Sequence, residues 1–374
     1  MTLAIVAAAL MAAGCHHTSS TDAGTMAVGG DTVTRHSRLL TIIDNPGYTL
    51  AEIRNPWDTT ATLQRLILAD REATLPAGLP ADAQVVRTPV TSSLVYSSVH
   101  GALIEELGAI GSVTGVADAP YFKLKAIADG LTDGTVTDVG SSTNPSQEKI
   151  IELNPQVILT SPFQNAGHGV IEQLGIPIVE CADYMESTPL GRAEWMKLFG
   201  RLYGKATQAD SLFTVISHEY THLANAAAKA TSKPVVITER VVDGVWYVPG
   251  GGSYMARMLA DAGASYPWAD DASAGSLQLD APTVLDRAAD ADYWLIRTYG
   301  FIPSHSMLAA ESALNSRFKA FNTGGIYCSD TSQSMIFEEF PFHPDLLLGE
   351  YIRIFHPGLI AEGDGRLRYY QKID

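Results

Sequence analysis

The sequence predicts an α/β protein of two Rossmann-like α/β lobes joined by a long helix, with a small N-terminal β addition. Three observations carry this. Residues 146–161 (SQEKIIELNPQVILTS) and residues 281–298 (APTVLDRAADADYWLIRT) each read as a short amphipathic helix, a polar break and a compact apolar strand. The stretch 189–232 between them keeps helical periodicity and contains no strand. Residues 38–72 alternate in the manner of strands around Asn45-Pro46-Gly47-Tyr48, a turn signal. Two lobes of this kind, held by one helical span, face each other across a cleft.

Composition fits that reading. The chain has 374 residues, 46% of them apolar and 18% charged, the balance of a core-forming protein rather than a disordered one. A net charge of −16 excludes a nucleic-acid partner, whose phosphates require a basic surface. It does not exclude a small anion, which one local arginine can hold.

Taken in order, residues 1–15 (MTLAIVAAALMAAGC) form an apolar run too short to cross a hydrocarbon core of about 30 Å, and read as an export signal. Residues 16–34 are polar and small, a flexible tether. Residues 35–84 form the β addition, with strands LLTIID, TLAEIR and LQRLILAD. Lobe 1 spans 85–185, opening on a strand VVRTPV and a helix capped by Ser92 or Ser93, with VTGVAD, QVILTS and IPIVEC as later strands. In the helix before QVILTS, the apolar face is Ile150, Ile151 and Leu153. Residues 186–232 are the inter-lobe helix, broken or kinked at Gly204. Lobe 2 spans 233–374, with strands PVVITER, YWLIRT and GGIYC. A loop from Trp246 to Gly252 enters a helix at Ser253, and a closing helix lies in HPDLLLGEYIRIFHPGL. Cys181 and Cys328 follow apolar strands in different lobes and are expected as two separate buried thiols.

One motif points elsewhere. His218-Glu219-Tyr220-Thr221-His222 is H-E-x-x-H on a helical stretch, where His at i and i+4 share a face and can bind Zn²⁺ with Glu219 as general base. A zinc peptidase is therefore the alternative function. It lacks a third ligand: the sequence continues LANAAAKATS, and Glu239 lies in a strand rather than on a second helix. A chance match is the favoured account, with no catalysis and no cofactor.

The run DVGSSTNPSQEKIIELNPQVILTS, then LGIPIVE, STPLGRAEWMKLFG and HPDLLLGEYIRIFHPGL, in that order and spacing, resembles the iron-complex and cobalamin substrate-binding proteins of ABC importers. The likeness covers residues 85–370. It implies a non-enzymatic, monomeric receptor that holds an iron chelate (siderophore), haem or corrinoid between its lobes and passes it to an ABC importer permease. Position by position, it implies ligand contacts from Thr91, Ser92, Tyr121, Ser161 and Phe163 in lobe 1. In lobe 2 it implies Trp246, Tyr247, Trp268, Arg297, Tyr299 and residues near Asp330 to Met335. Arg297, with Arg240, would receive an anionic ligand; His168, His305, Tyr121 or Tyr299 would supply an axial ligand to haem. Permease docking would use Glu148 on lobe 1; the matching position on lobe 2 is Pro282, which cannot form an ion pair, so Asp280 two residues away takes that role. Ala13-Gly14-Cys15 is similar to a bacterial lipoprotein processing site, which implies a lipid on Cys15, membrane contact only through that anchor, and a place on the periplasmic side of the cell envelope.

Overall fold

A computed structural model describes residues 30–361 and 366–374; residues 1–15, expected as an export signal ending in Cys15, lie outside them. The β addition is a five-stranded sheet in which Asp31–Thr32, Leu40–Asn45, Tyr48–Arg54 and Thr62–Asp70 pair antiparallel in sequence order. Gly47, with φ +86°, makes the tight turn between the second and third strands, a backbone region that glycine enters without steric cost. The fifth strand, Ala83–Thr88, pairs parallel to Thr62–Asp70. VVRTPV therefore belongs to the N-terminal sheet and not to lobe 1, which begins later, at Ser93. Alternation alone marks a strand but does not name its partner.

Lobe 1 is a five-stranded parallel sheet in the order Ile178–Glu180, Val157–Thr160, Ser93–Val95, Val113–Val116, Thr137–Asp138. Numbered along the lobe this is 5-4-1-2-3, so the order reverses between Ser93–Val95 and Val157–Thr160. Ser93 is in that first strand, and the helix after it runs Ser98–Glu106 from Ser97, so neither Ser92 nor Ser93 caps it. Leu94, Ile158 and Ile178 face one side of the sheet with Ile150, while Val95, Leu159 and Val179 face the other. Helix Gln147–Leu153 buries Ile150 alone; Ile151, rotated by about 100°, stays 59% exposed.

Lobe 2 has a sheet of Val236–Thr238, Tyr293–Thr298 and Ile326–Asp330 in parallel, with Gln371–Lys372 antiparallel at the edge. A three-stranded antiparallel ribbon is inserted, and its central strand is Val245–Pro249. WYVP is thus a strand rather than a loop, although Ser253 does cap the helix Tyr254–Asp261. Helix Ala281–Ala288 buries Val284, Leu285 and Ala288 as its spacing predicts.

The inter-lobe segment is three helices: Pro189–Ala193, Met196–Leu202 and Ala206–Ala227. The break before the last falls at Gly204, with φ +70°. Ala209, Phe213 and Ile216 of the long helix lie in the lobe 1 core, and Tyr220, Leu223 and Ala227 in the lobe 2 core. One helix thus serves two cores. Cys181 and Cys328 are both buried and unbridged. No described helix is long and apolar enough to cross a membrane.

Candidate ligand-binding site

Parallel sheets gather their chemistry at the C-terminal strand ends, above all where strand order reverses. Both lobes turn those ends toward each other, and a cavity of about 440 Å³ lies between them. Lobe 1 contributes Val99, in the first turn after Ser93–Val95, and Tyr184 and Met185 after Ile178–Glu180. Lobe 2 contributes Tyr254, Arg297, Phe337 and Phe340. Arg192, from the first inter-lobe helix, reaches in from behind.

The walls are held by charge and ring contacts. Arg192 Nε donates to Asp183 Oδ2 (3.1 Å) and Nη1 to the Tyr254 hydroxyl (2.6 Å), while the guanidinium lies 4.8 Å from the Tyr254 ring centre and 5.7 Å from that of Phe340. Tyr254 and Phe340 stack at 6.0 Å. Burial pushes the Asp183 carboxyl up, but His100, at 2.9 Å, and Arg192 outweigh it and hold it below the usual carboxylate range. Arg297 lies 5.3 Å from the Phe337 ring and donates to Glu239 from Nε (2.7 Å) and from Nη2. Glu239 stands immediately after its strand with φ +64°, a left-handed conformation that costs a non-glycine residue about 1–3 kcal/mol. Its carbonyl, which accepts from Trp294 Nε1 at 2.6 Å, and its carboxylate are both tied into that corner.

A second hollow, of about 400 Å³, opens on lobe 1 alone at the reversal point. Its lining includes Tyr96, Thr160, Ser161, Phe163 and His168. The Tyr184 hydroxyl donates to Pro162 O (2.6 Å), so this loop and the inter-lobe cavity share a wall. Burial pushes the Tyr184 and Tyr96 phenols up to about 12, so both stay protonated donors. His168 is bound to Glu180 at 2.6 Å, a hydrogen bond that raises the imidazole above its ordinary value.

Of the residues singled out in the sequence, Arg297 lines the inter-lobe cavity, and Ser161 and Phe163 line the lobe 1 hollow. Tyr121 (62% exposed) and Tyr299 (64%) follow strands whose ends face the cleft, and are left in solvent. Five, Thr91, Ser92, Trp246, Tyr247 and Trp268, line neither cavity. Trp246 is wholly buried, stacked 5.6 Å from Trp294 with its Nε1 on Thr238 O. Strand alternation sends Trp246 inward and its neighbour Tyr247 outward, whereas the glycines that follow give this strand the look of a loop in sequence. Trp268 is 3% exposed against Tyr266 in the core. Thr91 and Ser92 sit at the N-terminal end of Ser93–Val95, opposite the cleft, where Thr91 N bonds Gln156 and Ser92 bonds Thr114.

Arg297 and Arg240 are not open anion receptors, since they pair with Glu239 and Glu311. His305 packs on Phe321 inside lobe 2 at 4.6 Å. Glu148 is exposed in the first turn of its helix, whereas Asp280 accepts Thr283 N at its own helix N-terminus. His218 and His222 are exposed on the outer face of the long helix. No group of three or more His, Cys, Asp or Glu that could hold a metal occurs among the described residues. Arg192, Tyr184, Tyr254, Phe337 and Phe340 escaped the sequence reading.

Two parallel-sheet lobes on a shared helix, with an aromatic cavity between their strand ends, define a two-lobe binding protein. Residues 94–323 match the periplasmic binding protein family, and the chain belongs to it. It is 32% identical over 288 residues to an uncharacterised lipoprotein of Methanocaldococcus jannaschii, covering 72% of this chain and 67% of that one. A second uncharacterised lipoprotein of that organism is 27% identical, with 67% and 64% covered, so the chain spans about two thirds of each. Among solved structures, a possible iron-binding periplasmic solute-binding protein of Staphylococcus epidermidis superposes with a TM-score of 0.57 at 17% identity, over 72% of this chain and all of that one. A periplasmic haem-binding protein of Pseudomonas aeruginosa gives 0.56 at 15%, over 72% and 94%. At such identities these structures share the fold.

Proposed function

We propose that this chain is an envelope lipoprotein that binds a metal chelate, whether an iron chelate (siderophore), haem or a corrinoid, between its lobes and delivers it to an ABC importer without chemistry of its own. The observation that carries this is the inter-lobe cavity, walled by Tyr184, Tyr254, Phe337 and Phe340 from both sides of the cleft. Flat aromatic walls suit a large planar or macrocyclic face, and a concave site shared by two lobes suits a ligand that is taken up and released. A haem iron would look to Tyr121 or Tyr299, since His168 is bound to Glu180 and His305 is packed against Phe321 away from the cavity lining. Docking on the permease would rest on Glu148, and the anchor on a lipidated Cys15 on the periplasmic side.

The test is thermal unfolding of the full chain in mild detergent with haem, cyanocobalamin, a ferric trihydroxamate or Zn²⁺. A chelate at 100 times its dissociation constant adds about 2.7 kcal/mol to the folded state. The expected result is a shift with one chelate that shrinks in Phe337→Ala and persists in His218→Ala. A shift with Zn²⁺ alone, abolished by His218→Ala, would overturn the proposal in favour of the metal site.

A further inference from the structure

We propose that the inter-lobe cavity selects an electrically neutral chelate and discriminates against anionic ones, because each guanidinium in its wall is already matched by a carboxylate of the chain. This rests on the binding reading above and narrows it.

Among the described residues, the charged side chains lining the cavity are Arg192 and Arg297. Arg192 is bound to Asp183, which is 1% exposed, and Arg297 is bound to Glu239. Two cations thus face two anions. His100 approaches Asp183 from the side away from the cavity lining, with its Nε2 2.9 Å from Oδ1, and is not itself part of the wall. The neighbouring contact between the lobes is neutral too, with Lys123 on Glu338 at 3.2 Å and on Ser334 O at 2.7 Å.

The cation faces are also covered. Arg192 lies against Tyr254 and Phe340, and Arg297 against Phe337, so each guanidinium stiffens the aromatic wall. An anion laid on either edge would share its cation with a carboxylate held in place, in a site where water screens little. A neutral ligand meets no such conflict and gains the aromatic wall and the Tyr254 hydroxyl, which accepts from Arg192 and keeps its own proton to donate. The strained backbone at Glu239 fits this assignment, since its carboxylate is turned onto Arg297.

The experiment is isothermal titration of the full chain with four probes: cyanocobalamin and a neutral ferric trihydroxamate, against haem with its two propionates and a trianionic ferric tricatecholate. The expected result is that a neutral probe binds about 100-fold tighter than the tricatecholate. Its affinity should change little between about 50 and about 500 mM NaCl. Glu239→Gln, which releases Arg297, should narrow that preference by about tenfold or more; circular dichroism checks that the variant is folded, and the wild-type panel decides the matter if it is not. Equal or tighter binding of the tricatecholate or haem by the wild type would overturn the inference while leaving the receptor reading intact. Failure of all four probes to bind would overturn both.

Discussion

Glu186, Glu194 and Glu350 are each at most 1% exposed, and each spends its carboxylate on backbone N–H groups of a distant segment. Glu194 accepts from Arg35, His36 and Ser37, with Lys197 at 3.0 Å balancing its charge. Glu186 takes Arg38 N, Leu39 N, the Ser37 hydroxyl and Trp195 Nε1. Glu350 takes Arg368, Tyr369 and Tyr370. The first two fasten the β addition to the start of the inter-lobe segment, and the third fastens the C-terminal strand. Glu194→Ala leaves three donors and Lys197 without their acceptor, so a loss of about 3 kcal/mol or more is expected in urea unfolding, with Glu194→Gln milder. None of this was legible in the sequence, where a buried glutamate is indistinguishable from a surface one. Arg192 and Tyr254 were missed for the same reason: their contact joins positions 62 apart, beyond the reach of any periodicity.

At the scale of elements the sequence was far more informative. The two helix–strand repeats, the three strands of the β addition and the break at Gly204 appear where spacing and turn chemistry put them, because each depends on neighbours within a few residues. Sequence is silent where partner choice decides: Ala83–Thr88 pairs into the N-terminal sheet rather than lobe 1, and WYVP has the look of a loop since its glycines follow directly. The shared helix depends on one close approach. A Cβ on Gly200 would lie 2.5 Å from the Ala209 Cβ. Gly200→Ala therefore forces Met196–Leu202 away from Ala206–Ala227, and a cost of about 1–3 kcal/mol is expected as a lowered thermal midpoint.

Across the whole molecule, the lobes meet outside the cavity through Lys123 with Glu338 and through His343 with Glu106, the latter at 2.7 Å. Burial pulls the His343 imidazole down, but Glu106, Asp345 and Glu339 outweigh it and raise it above its ordinary value near 6.5. Its stabilisation is thus fully present below about pH 6.5 and fades as pH rises through the elevated folded value. His343→Ala should lower the thermal midpoint at pH 6 and have less effect at pH 9. These contacts, added to a helix rooted in both cores, leave the lobes little freedom, so ligand addition should compact the particle only slightly in X-ray scattering. The same helix orders events during synthesis. Apart from Phe342, every buried residue of the larger lobe 1 core lies before position 217, so that core can condense while lobe 2 is still on the ribosome. The remaining turns, with Tyr220, Leu223 and Ala227 still uncovered, then stand out as a preformed apolar seam on which the second half of the chain can nucleate, and Phe342 closes the first core only when the last helices arrive.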